Sequence, residues 1–441
     1  MQYIKEIERN DTSTRYGVLR ITDETYRLPA CSPTPRTRTE GRALMKLVSD
    51  GLKLEVISPH ISRYREMNEE IGVLLGTMSP VQEVSFRSPL VIPDIESEAI
   101  NFNCFARSKL FRWDAQSDNY EAEDAIFDVA NSNLSGVNDT HSAWRRMIRQ
   151  FGTLPLLNWQ SKLLASIGSD VLFVPTPIIR GKDEQSVRMA IDVARSMIPH
   201  AKLDQKFTMQ GVHFLLHGDV LGDSSSAVEV RNKLIDEVRS WRTSDTMSNL
   251  FISFKVHDSG GILTNSLYGG AARRHLSELT MELHEATEAA GGLLVAHNWG
   301  NWALGLLDSG ADVVSYRIDG KRDIETVYNR KVGTRTTHEP PRFMVPRALI
   351  DFSYTVLKEQ YEQSGGFPCS NLIKPQPYWD SPRRIDQLQY TSEERLGVLF
   401  ELGEEFRNAG LDPEISISEA VRSRVLDSQI IQELKDLCPS F

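Results

Sequence analysis

The sequence is short of several features that would have fixed its class at once. Its four cysteines (Cys31, Cys104, Cys369 and Cys438) are scattered over 441 residues and form no Cys-x-x-Cys pair. A disulfide scaffold or an all-thiolate zinc site is therefore not expected. No stretch approaches the roughly 20 consecutive apolar residues that a membrane helix needs. Met1 to Arg20 alternates charged with apolar residues and lacks the cationic start and apolar run of a secretory signal, so the cytoplasm is the expected address. Positive charge is not in excess either. A net charge of −10 excludes a uniformly basic nucleic-acid surface but leaves room for a local basic patch. Low-complexity segments are missing. What remains, 40% hydrophobic and 25% charged residues, is the composition of a globular chain with a real core.

One format recurs along the chain: a short apolar run, one or two polar residues, then an amphipathic helix. Asp170–Val174 is a continuous apolar run of the kind buried on both faces, and it stops at Pro175-Thr-Pro177. The helix after it stripes Val187, Ala190, Ile191, Ala194 and Ile198 on one side. Val212–Leu216 follows, ending at His217-Gly-Asp219, with Ser224–Ser226 as a cap for a helix facing inward through Leu234, Ile235, Val238 and Trp241. Leu250–Val256 ends at His257-Asp-Ser-Gly-Gly261, and its helix carries Leu276, Leu279, Leu283 and Ala286. Leu293–Ala296 ends at His297-Asn-Trp-Gly300, and a short helix over Ala303–Leu307 leads into Ala311–Val314, which ends at Ser315–Asp319. Leu52–Ile57, ending at Ser58-Pro-His60, reads as a further strand.

Five successive strand–loop–helix units predict parallel strands with right-handed crossovers. An open doubly wound sheet fits the same alternation. The barrel is favoured because no glycine-rich phosphate loop follows a first strand. The expected fold is thus α/β, a (β/α)8 TIM-type barrel over residues 1–335. Residues 336–441 are expected to form a mainly helical extension packed on it, with a capping box at Thr391–Glu394 and Leu396, Leu399, Phe400 and Phe406 facing inward. Residues 121–149 read as partly helical, with Arg145, Arg146 and Arg149 on a basic turn, and Lys321, Arg322, Arg330, Lys331 and Arg335 make a cationic stretch. That stretch fits a phosphate backbone or a solvated loop equally.

His217, Asp219, His257, Asp258, His297, Asn298, Arg317 and Asp319 all fall just after expected strands. In a barrel such residues converge on one mouth, where loops on a rigid scaffold carry function. The histidines and acids among them suit a general base, a nucleophile or a divalent metal site. Taken singly, each also suits a loop or helix cap. Trp113, Trp299 and Trp302 are candidates for stacking a nucleobase, although Trp299 and Trp302 stand three apart, so one of the two belongs in the core. Cys104 reads as a small buried hydrophobe.

Five stretches in order resemble the tRNA-guanine transglycosylase superfamily, which includes the queuine- and archaeosine-forming enzymes. Gly17-Val-Leu … Leu28-Pro-Ala30 looks like its opening, and Leu54–His60 is similar to its next strand. Ile167–Phe173 with Ala194-Arg-Ser196 resembles a further strand and helix. His297-Asn-Trp-Gly300 with Gly310–Val313 resembles the His-x-x-Gly … Gly-x-Asp pair, and Phe367-Pro-Cys369 looks like the start of a zinc loop. The resemblance implies a (β/α)8 barrel that exchanges a base in tRNA through an aspartate nucleophile. Four positions depart from it. Asn371 and Lys374 stand where the second and third zinc thiolates belong, so the family's zinc is not expected; other cofactors are left open. Ser315 stands at the nucleophile's position, and Pro175 at that of a base-contacting aspartate.

The function expected from this is base exchange (pentosyl transfer) on a nucleic-acid base or nucleoside. Asp319, or failing it Asp312, would be the replacement nucleophile, with Asp258 and His297 as base-reading or acid/base groups. His217, Asp219, His257, Asn298, Arg317 and Trp299 would line the substrate site. Two alternatives stand beside it: a metal-dependent hydrolase or lyase using His217, Asp219, His257 and His297, and a catalytically inactive RNA- or partner-binding paralogue. The partners implied are tRNA or another nucleic acid and a second copy of the chain, with no membrane.

Overall fold

The computed structural model describes residues 3–9, 15–21, 24–35, 38–59, 89–95, 152–241, 250–257, 271–289, 292–297, 303–317, 342–345 and 350–353, with scattered positions in 141–149 and 393–397. The chain opens on an antiparallel meander of β1 (Tyr3–Arg9), β2 (Arg15–Ile21) and β3 (Glu24–Leu28). Leu19 and Ile21 on β2, and Tyr26 and Leu28 on β3, are buried, while Arg20 and Glu24 are exposed. That alternation is what a sheet with one solvated face requires.

The remaining architecture is α/β. In chain order come β4 (Ala30–Thr34), α1 (Arg38–Ser49), β5 (Val56–Ile57), β6 (Leu90–Val91), α2 (Leu154–Ser166) and β7 (Val171–Pro175). Then follow α3 (Glu184–Ala201), β8 (Met209–His217), α4 (Ser225–Trp241), β9 (Leu250–His257), α5 (Ala271–Ala289), β10 (Leu294–Ala296), α6 (Ala303–Asp308) and β11 (Val313–Arg317). Six of these strands form one parallel sheet in the order β4-β11-β10-β9-β8-β7. The helices begin and end where local chemistry dictates. Asp183 caps α3 by accepting from the Gln185 amide at 3.0 Å, and Ser224 Oγ accepts from the Ala227 amide at 3.4 Å before α4. The apolar stripes of α3, α4 and α5 are buried as their spacing predicts.

The sheet has two unlike faces. Phe214 of β8 stacks on Trp241 of α4 with ring centroids 6.2 Å apart, so Val212, Phe214 and Leu216 look toward the helices. Gly211, His213 and Leu215 look the other way. On that second face Phe173 of β7 meets His297, which follows β10, at 6.0 Å between centroids. In a flat sheet β7 and β10 would stand roughly 14 Å apart, three strand spacings of about 4.8 Å. The sheet therefore curls strongly, bringing distant strands together across its concave side.

β5 and β6 pair with each other in parallel, Val56 opposite Leu90. The Ser58 amide donates to the Pro33 carbonyl at 3.1 Å, and the Asp170 amide donates to the Val91 carbonyl at 3.1 Å. These bonds tie the short pair to β4 on one side and to the start of β7 on the other. Asp170 adds a second tie, since its carboxylate accepts from the Val91 amide at 2.8 Å. The same device recurs at Asp312, whose carboxylate accepts from the Leu294 amide at 2.8 Å while its carbonyl accepts from Ala30 at 2.9 Å. Both aspartates belong to a Gly-x-Asp-Val run. The glycine, Gly168 or Gly310, takes positive φ (68° and 104°) to end the preceding helix.

The structure departs from expectation in two places. The meander and β4 were not foreseen; Leu28-Pro29-Ala30 leads directly into a buried parallel strand. Asp312, expected inside a strand over Ala311–Val314, precedes β11 at the N-terminal end of the strands, where it holds backbone. Within residues 336–441, β12 (Arg342–Val345) pairs antiparallel with β13 (Ile350–Ser353). Leu396 is buried within the main hydrophobic core, and Glu393 pairs with Lys46 of α1 at 2.5 Å.

The concave face leaves no room at Gly211, where a Cβ would lie 2.6 Å from the Phe173 ring and 2.8 Å from the Phe251 carbonyl. Gly211→Ala is expected to lower stability by about 1–3 kcal/mol. The effect would be read as a fall in urea midpoint at constant slope, and an unchanged midpoint would mean a looser concave face than described.

Candidate functional site

The concave face is polar where a buried face of a parallel sheet is ordinarily lined by Val, Ile and Leu. Alternation puts Ser253, Lys255 and His257 of β9 on one side of the strand. Lys255 reaches across to Asp94, just beyond β6, with Nζ 3.4 Å from Oδ2; the two side chains are 2% and 0% exposed. Beside this pair lie two hydroxyl–imidazole contacts. His213 Nδ1 is 2.7 Å from Ser253 Oγ, and His297 Nδ1 is 3.2 Å from Ser315 Oγ. The two imidazoles stand 5.6 Å apart between centroids, with Phe173 edge-on to both. Ser32 and Ser58 share a hydrogen bond at 2.8 Å, and Thr176 donates to the His213 carbonyl at 3.0 Å.

Burial dominates the electrostatics. It pushes His297 down to about 4, assisted by the Lys255 cation and opposed by Asp94. His257 is also pushed to about 4, by burial first and then by His217 and Lys255. His213 lies well below the ordinary histidine range for the same leading reason, followed by its neighbour His297. These imidazoles are therefore neutral at pH 7 and able to accept a proton or a hydrogen bond. His297 Nε2, in a side chain only 1% exposed, has no hydrogen-bond partner among the described residues, and neither does Thr34 Oγ1. Buried polar atoms left so cost about 1–3 kcal/mol each, which is reason to look there for a ligand group. The ion pair points the same way. A well-packed apolar pair would be at least as stable, so Asp94 and Lys255 are poor choices for stability alone.

Of the residues expected at the strand ends, His217, His257 and His297 lie on this face, the rings of His217 and His257 6.2 Å apart. Asp219 is engaged in structure. Its carboxylate accepts from the Gly181 amide at 2.8 Å, contacts Arg180 at 3.4 Å and lies 2.9 Å from His217 Nδ1. Burial works against its charge, but these bonds outweigh burial and hold its pKa below the usual carboxylate value. The backbone of Arg317 closes β11 opposite Thr34. Asp258, Asn298, Trp299 and Asp319 lie outside the described residues. Among the described residues no group of three or more His, Cys, Asp or Glu side chains is placed to hold a metal ion. None of their helices is long and apolar enough to cross a membrane.

His213, Ser253, Lys255 and Asp94 join the site without being marked by a strand end in the sequence. The signal was present as period-two polarity: Ser253, Lys255 and His257 alternate with Ile252, Phe254 and Val256 inside a strand buried on both sides.

Between pH 6.5 and 4 the unfolded chain protonates imidazoles that the folded chain keeps neutral. Stability from His257 and His297 is thus complete above pH 6.5 and declines as pH falls toward 4, by about 3 kcal/mol each. Asp170, raised by burial to about 6 against the opposing Val91 hydrogen bond, acts with the opposite sign: its contribution is lost as pH rises through 6. Asp170→Asn should therefore raise the urea midpoint at pH 8 and steepen the loss of stability between pH 6.5 and 4. A pH profile identical to that of the parent chain would contradict this balance. No protein-family model matches the sequence, and no curated protein matches it.

Proposed function

We propose that β5 and β6 complete the parallel sheet into a closed (β/α)8 ring, and that the chain is a divergent transglycosylase-like protein exchanging a base at a nucleoside of a nucleic acid. The bonds from Ser58 to Pro33 and from Asp170 to Val91 support closure, because they supply the two joints that the six-stranded sheet lacks. Cross-face contacts between strands three apart support it further. The barrel is assigned to residues 1–335, and the burial of Leu396 favours packing of the 336–441 extension against it.

The observation that carries the chemical reading is the contact between Ser315 and His297. By resemblance, Ser315 stands where a transglycosylase keeps its nucleophile, and His297 opens the His-x-x-Gly segment. A neutral imidazole touching that position, one strand away from a buried ammonium–carboxylate pair, suits proton traffic at a glycosidic bond. Within this reading Asp258 and Asp319 remain the strand-end carboxylates, with Asn298, Trp299 and Arg317 on the substrate side. Nucleic acid is the proposed partner and the cytoplasm the proposed setting.

Purified protein given radiolabelled guanine or deazaguanines should incorporate label into tRNA, another RNA or DNA. His297→Ala should reduce the rate by about 100-fold or more, as loss of a general acid–base group does. Absence of incorporation into every nucleic acid offered would sink the reading.

A further inference from the structure

We infer that Lys255 is the group that takes the sugar: its amine attacks C1′ of the target nucleoside and holds the ribose as an iminium while the base is exchanged. This inference rests on the base-exchange reading and names the nucleophile within it. Three observations lead to it. The position that resemblance gives to a carboxylate nucleophile is a serine, hydrogen-bonded to His297 and 0% exposed. Lys255 sits on the same concave face as that serine, two residues before the end of β9, and carries its amine across the face to Asp94. Its ammonium faces a carboxylate, Asp94, that can accept the proton which must leave before the amine attacks.

C1′ of a nucleoside is bonded to both the base nitrogen and the ring oxygen, so it is an aldehyde carbon in masked form. An amine suits such a carbon because the adduct can open to a stabilised iminium, which a serine hydroxyl cannot form. The step balances as follows. Lys255 passes a proton to Asp94, and the Nζ lone pair forms the C1′–N bond as the glycosidic bond breaks with its electrons on the base. Asp94 returns its proton to the departing base. The new secondary ammonium then gives a proton to the ring oxygen as the C1′–O4′ bond opens, leaving a C1′=N iminium and a free hydroxyl. An incoming base reverses these steps, and no oxidant or metal is required. His297 Nε2, buried and without a partner among the described residues, is placed to relay the base's proton to and from Asp94.

The test is borohydride trapping. Full-length protein is incubated with total tRNA and with a mixed-sequence DNA duplex, reduced with borohydride, digested and mapped by mass spectrometry. A reduced sugar adduct on Lys255 is expected, dependent on borohydride. Lys255→Arg keeps a cation opposite Asp94 but lacks the primary amine, and should lose both adduct and exchange by about 100-fold or more. A purely structural ion pair would leave the unmodified chain without any adduct at Lys255. Adduct mapping needs only the unmodified chain, so it decides the matter even where the variant folds poorly. Exchange without an adduct at Lys255, an adduct at Asp258 or Asp319, or full exchange by Lys255→Arg would overturn the amine role and leave base exchange standing. Absence of both exchange and adduct would overturn both.

Discussion

A parallel sheet whose helices lie on one side must still bury its other side, and among the described residues it does so in part against itself. That constraint governs this molecule. β7 to β11 follow one another across the sheet in chain order, so their right-handed crossovers put α3 to α6 on one face, the face on which Phe214 stacks on Trp241. The opposite face curls until Phe173 meets His297 and Lys255 meets Asp94. Curling also brings together side chains far apart in sequence, since Asp94 and Lys255 are separated by 161 positions. The burial that results sets the chemistry, because it makes the imidazoles neutral and leaves an ammonium and a carboxylate with each other as counter-ions.

The strands and helices from Asp170 to Val314 were legible because their signals are local. Each strand is a short apolar run, each helix an apolar stripe at 3.6-residue spacing, and the two alternate. β4 was missed for an equally local reason: Ala-Cys-Ser-Pro-Thr has little apolar bulk, and its buried hydroxyls and Pro33 read as turn chemistry. Only pairing with β11, almost three hundred residues on, makes it a strand. The short strand Leu90–Val91 gave no pattern for the same reason, being too brief to show a period.

The site divides along similar lines. His217, His257 and His297 were found because a polar residue that stops an apolar run is visible in one dimension. The deeper residues were not, since Lys255 and His213 lie inside apolar runs and their partners are set by curvature. Asp219 and Asp312 show the converse. An acid next to a strand reads as chemistry in the sequence, yet both carboxylates accept backbone amide hydrogens from neighbouring segments. Asp258 and Asp319 share that position in the sequence pattern, which is why residue type and place alone do not assign a role.

The paired Gly-x-Asp-Val runs have a consequence beyond stability. Asp170 and Asp312 each lock a strand to its neighbour from the end where the chain enters the sheet, using both main chain and side chain. Alignment is thereby settled at the floor of the molecule, independently of anything above it. Register fixed from that end does not depend on which residues stop the strands at the other, so a side chain such as His257 or His297 can be exchanged without realigning the strands beneath it.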